Sequence, residues 1–130
     1  MTNLVNERKE VVFGKDSIII QKWIAGIKGG RNLEVADFPL DVISAGHVVI
    51  TDGEGTYKPM PLVEAGNAYA VLPEGFTYAG VVYRSTSKNR PMVSIMTEGQ
   101  VNEAVVPFAV PAAFKTACPL IEFIKDEESK

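Results

Sequence analysis

Eleven glycines and eight prolines are spread almost evenly through 130 residues, and between them lie short runs rich in valine and isoleucine. Glycine weakens any regular element it interrupts, and proline removes a backbone donor, so this punctuation favours many short strands joined by turns. The sequence predicts a mainly β fold. At this length the chain is one domain that buries about two-thirds of its unfolded surface, and its 46% hydrophobic content supplies a single core.

Along the chain, residues Ile18 to Ile27 (IIIQKWIAGI) are followed by Lys28, then Gly29-Gly30, then RNLEVADF with Leu33 and Val35 alternating against polar neighbours. Two residues that accept positive φ between two apolar runs predict an N-terminal hairpin. Ile20, Trp23, Ile24 and Ile27 also fit a helical stripe, so a helix over Ile18 to Ile27 is the competing reading. Further on, Ser44-Ala45-Gly46 turns into HVVIT, Asp52-Gly-Glu-Gly55 makes a hairpin turn, and Pro59 and Pro61 confine TYKPMPLV to an edge. Ala68 to Leu72 is another short run. YAGVVYRS, a polar turn at Thr86 to Arg90, and PMVSIMT with Val93 and Ile95 on one face come next, with Gly99 as a break before VNEAVVPFAV. LIEFI closes the chain as a strand, with Ile121 and Phe123 on one face.

Before it, the stretch Pro111 to Pro119 (PAAFKTACP) reads as one short helix. Proline suits the first turn, where its missing N–H has no partner, and Pro119 forces the chain out again. Phe114 and Cys118 lie four apart, giving an apolar face that can plug the end of a small barrel or sandwich. This helix is a support with no chemistry on it.

The residues that could carry chemistry do not form a reactive set. Cys118 is the only cysteine and His47 the only histidine, seventy-odd residues apart; a buried thiol and a strand histidine are favoured over a Cys/His dyad or a metal ligand. Asp52-Gly-Glu-Gly55 has glycines at two positions where a calcium loop needs ligands, and Lys28-Gly-Gly-Arg31 lacks the spacing of a phosphate loop. Glu64, Glu74, Glu98 and Glu103 each fall in a predicted loop. The expectation is a protein with no catalytic, metal or cofactor site and no small-molecule substrate.

A net charge of −3, with both signs interspersed, argues against nucleic acid as partner. The longest uncharged apolar stretch is far short of the roughly 20 residues of a membrane span. Charges interrupt the first residues where a secretion signal needs its apolar core, so synthesis in the cytoplasm is expected. Val11, Val12 and Phe13, between NERKE and Gly14, can add a strand to a partner's sheet edge or pair within their own domain.

Two stretches carry a family likeness. Ala45 to Met60 (AGHVVITDGEGTYKPM) resembles a hairpin of the lambda-type head decoration (capsid cement) proteins of tailed bacteriophages. Tyr78 to Ile124 is similar to that family's closing pattern: a Gly-Val strand, a strand ending in Gly-x-Val, a short alanine-rich helix and a final Leu-Ile strand. The resemblance implies a compact β-rich fold of the β-clip kind, homotrimers on the outside of an expanded capsid, the major capsid protein as partner, and an ordering N-terminal arm that would include Val11, Val12 and Phe13. The virion would be the place of action. Family arms are polar, whereas residues 17 to 38 here are apolar, so the free arm is restricted to residues 1–16, with a β-rich domain over 17–125 and an acidic tail at 126–130. A head fibre base or tail part is the alternative assembly role. Arg84-Ser85 in YRSTSKN faintly resembles a phosphate motif of deoxyuridine triphosphatases, another β-clip family, but that family's uridine loop is missing.

Overall fold

The computed structural model of the chain describes residues 16–36, 38–63 and 66–125. The fold is mainly β, built around one six-stranded sheet. The elements are a single helical turn α1 (Asp16–Ile19), β1 (Ile20–Asn32), β2 (Val42–Ile43), β3 (Val48–Thr51), β4 (Tyr57–Pro59), β5 (Thr77–Val82), β6 (Thr86–Ser87), β7 (Met92–Asn102), α2 (Ala112–Ala117) and β8 (Ile121–Ile124). The large sheet has the order β1-β7-β5-β3-β4, with β8 also on β7, while β2 and β6 form a separate pair.

The β3–β4 hairpin follows from its turn. The carboxylate of Asp52 accepts the backbone N–H of Glu54 at 2.8 Å and that of Thr56 at 3.2 Å, and Thr51 Oγ1 donates to the Thr56 carbonyl. A side chain thus does the work of a turn's backbone bonds. Pro59 pairs opposite Val49 at the outer edge of the sheet, where a missing donor costs no ladder bond.

The expected N-terminal hairpin does not form. From Ile20 to Asn32 the chain is one strand, paired antiparallel with β7 from Ile20↔Val101 to Asn32↔Met92. Gly29-Gly30 makes a bulge in place of a turn: between Ile27↔Ile95 and Arg31↔Val93, β1 advances four residues and β7 two. Gly30, at φ 81°, supplies the left-handed conformation that absorbs the extra length. The competing helix does not form over Ile20 to Ile27, which are all in β1; of its supposed apolar stripe Ile20 is buried while Ile24 is exposed, so those residues do not share one packed face. Nor does Gly99 end its strand. It lies inside β7 opposite Trp23, where a Cβ would collide with the Lys22 carbonyl oxygen and stand 2.5 Å from Met96 Sδ. Glycine is there for close approach of backbones. Of VNEAVVPFAV only Val101 and Asn102 are in the strand, and Ala68 to Leu72 contributes one bridge, Leu62↔Tyr69.

β7 is the centre of the molecule. β1 occupies one side; on the other, β5 pairs at Ile95 and Met96 and β8 at Gly99 to Asn102, in parallel. α2 packs where β5 and β8 part. Phe114 is 0% exposed, edge-on to Tyr78 of β5 at 5.4 Å and to Phe123 of β8 at 6.1 Å. The helix plugs the fold as expected. Pro111 stands one position earlier than expected, at the N-cap with ψ 143°.

Both faces of the sheet are covered. Val48 and Ile50 of β3, Val81, Met96, Val101, Phe114 and Ile121 share one core; Val49, Val82, Val93 and Ile95 share the other with Leu33, Phe38 and Ile43. That is why β3 reads as an unbroken apolar run: alternate side chains enter opposite cores. Each full burial of such a side chain contributes roughly 1.5–3 kcal/mol before entropy is counted. Beyond β1, Leu33 bridges Tyr57 of β4 and the Glu34 N–H donates to the Tyr57 carbonyl at 2.8 Å, so the two ends of the sheet touch, barrel-like, at that point.

Candidate functional site

The polar side chains that sequence reasoning weighed for chemistry are placed one by one in the fold. His47, just ahead of β3, is 1% exposed, and its Nε2 lies 3.0 Å from the Met60 carbonyl oxygen. A carbonyl only accepts, so Nε2 carries the proton and donates. Phe38, Tyr69 and Phe108 stand edge-on around the imidazole at 5.1 to 5.7 Å. Burial lowers the His47 pKa to about 4 against the smaller opposing pull of the Met60 bond, so the ring is neutral at pH 7. The Tyr69 hydroxyl accepts the Val48 N–H at 2.9 Å, and burial raises its pKa well above the ordinary phenol value. This aromatic box was not foreseen; its members are scattered from Phe38 to Phe108 and no spacing links them.

Ser85 Oγ accepts the buried Ala45 N–H at 2.8 Å, and the Arg84 guanidinium lies 4.5 Å from the centre of the Tyr83 ring. Ser85 thus ties the loop after β5 to the turn before β3. Cys118 is half-buried and not fully so, with burial raising its pKa, and its side chain packs beside the Phe114 core. Glu103 accepts from Lys115 Nζ at 2.6 Å, a contact that fastens α2 to the loop after β7. Among the described residues no three His, Cys, Asp or Glu side chains gather as a metal site would require. No helix among them is long and apolar enough to cross a membrane. Glu64 and the arm residues Val11, Val12 and Phe13 lie outside the described residues, as does all of residues 1–15; Asp16, placed at the arm's end, begins α1.

The surface offers three features. A cleft of about 250 Å³ lies between residues 34–36 and 38–39 on one side and the end of β4 with Pro61 on the other, with Glu34 and Lys58 as its charged walls and Phe38, Pro39, Pro59 and Pro61 among the apolar ones. The outer side of β1, from Ile20 to Gly30, has no strand partner among the described residues, and neither has the outer side of β8. Exposed apolar side chains mark both edges: Ile24 in β1 is 48% exposed and Leu120, next to β8, 63%.

A row of polar residues links these edges. Lys22 of β1 pairs with Gln100 of β7, and Gln100 pairs with Glu122 of β8. Gln100 Nε2 donates to Glu122 Oε1 at 2.8 Å. Two strand spacings, about 10 Å, separate Lys22 from Glu122, so one end of the row is cationic and the other anionic.

No family model, curated protein or solved structure matches this chain.

Proposed function

We propose that this chain is a virion structural protein that decorates and stabilises the capsid of a tailed bacteriophage or prophage, binding the outer surface as a homotrimer. The observation that carries the reading is how the two stretches with a family likeness fold. Ala45 to Met60 supplies β3 and β4, Tyr78 to Ile124 supplies most of β5 through β8, and the two are joined by β3–β5 pairing and a shared core around Phe114. The two stretches that carry the resemblance thus pack into one structural unit, which supports reading them together.

On this reading the work is mechanical. A rigid oligomer with several weak contacts binds each additional capsid subunit at high effective concentration, so modest contacts suffice to clamp neighbours against internal pressure. Val11, Val12 and Phe13 would serve as the anchoring strand to the major capsid protein. Ser85 already has a structural task, accepting the Ala45 N–H.

Co-sedimentation with expanded empty shells tests the reading. Saturable binding at a fixed ratio to the capsid subunit, weakened by deletion of residues 1–16, is the expected result. No binding by the intact protein overturns it and directs attention to tail and fibre partners; hydrolysis of a nucleoside triphosphate with magnesium would favour an enzyme.

A further inference from the structure

The row Lys22–Gln100–Glu122 crosses β1, β7 and β8, ending in opposite charges at the two open edges of the sheet. Lys22 and Glu122 are exposed, stand two strand spacings apart, and have no ion pair between them. β1 (IQKWIAGIKGGRN) has no acidic residue and β8 (IEFI) no basic one.

We infer that copies of this chain associate head to tail, β8 of one copy adding to the outer edge of β1 of the next, with Glu122 set beside Lys22 of its neighbour. The sheet would then continue from copy to copy and the polar row would repeat without a break. Charge selects this pairing over its competitor. Two β1 edges meeting about a twofold axis would oppose basic strands, and like charges across a ladder are destabilising. The bulges of β1, at Ile20/Lys22, Trp23/Ala25 and Ala25/Gly26, spoil a long flat edge, so a short strand such as the four-residue β8 is the better fit. Ile24 and Leu120 give the contact its apolar component.

A contact between two different edges is heterologous, so it closes a ring where the rotation permits and otherwise extends into a filament. The inference rests on the decoration reading only for the number of copies, and names the contact that would build its trimer.

Sedimentation of the full chain over about 1 to 300 µM at low salt tests it. The wild type should form multiples of 14.1 kDa. Lys22→Glu and Glu122→Lys alone should each raise the midpoint of association at least about tenfold, and the double reversal should restore it. A folding defect would not be repaired by the second reversal, and circular dichroism checks each variant's fold. A wild type that remains at monomer mass throughout, or association that ignores Glu122→Lys, overturns the inference. A chain that associates yet does not sediment with capsid shells would sink the decoration reading alone, and a monomer that sediments with them would sink this one alone.

Discussion

His47 donates from Nε2 to the carbonyl of Met60 across 3.0 Å, which locks the start of β3 to the residue that follows β4. The only histidine of the chain is thereby a fastening between two strands of a hairpin, held neutral inside an aromatic box.

That burial makes stability depend on pH with a definite sign. The folded pKa is about 4 and the unfolded value 6.5, so between them the unfolded chain binds more protons. Stability from this group is complete above pH 6.5 and falls as pH drops toward 4, by about 3 kcal/mol in total. Urea unfolding at pH 7 and pH 4.5 should show the loss in the wild type and a smaller one in His47→Gln, which keeps a donor but does not titrate. Equal losses in both would reject the assignment.

Phe114 has the most to lose by truncation. Its ring fills the space between Tyr78 and Phe123, where the neighbouring strands cannot collapse inward without leaving β7. Phe114→Ala should cost about 3–5 kcal/mol and Phe114→Leu distinctly less. Midpoints of denaturant unfolding measure both.

Ser85→Ala leaves the Ala45 N–H, in a residue with no exposed surface, without its hydroxyl acceptor. The expected loss is about 1–3 kcal/mol. Arg84→Ala, which removes an exposed guanidinium from the face of Tyr83, should cost under about 1 kcal/mol. If Arg84→Ala proves the more damaging in thermal melts, the structural role assigned to Ser85 is wrong.

The Cys118 thiol is raised in pKa by burial beside the Phe114 core, which keeps the reactive thiolate scarce at neutral pH. Alkylation by iodoacetamide at pH 7.5 should run at least about tenfold slower in the folded protein than in urea. Comparable rates would mean that the thiol is open to solvent.

Much of the fold was legible because local chemistry decided it. The Asp52 turn, the edge prolines, the Pro111 to Pro119 helix and the closing strand each depend on neighbours within a few residues. The failures at Gly29-Gly30 and Gly99 share one cause. Glycine marks a turn, a bulge and a close backbone approach alike, and which of these applies is settled by a strand some seventy residues away. Of the candidate chemistry, the Asp52 turn could be read ahead; His47, read as a strand residue, lies just before β3, and its bond to Met60, the aromatic box and the Lys22–Gln100–Glu122 row exist only after distant strands have met.

The placement of β1 and β8 on opposite sides of β7 has a consequence for how the chain could be rewired. Ile20 pairs with Val101, and Val101 with Phe123, so the start of β1 and the end of β8 lie about 10 Å apart across a single strand. The path is nearly a closed loop. A linker of a few residues from the end of β8 to the start of β1, with the chain opened at the Gly53–Gly55 turn, should give a circular permutant that keeps every strand neighbour described here.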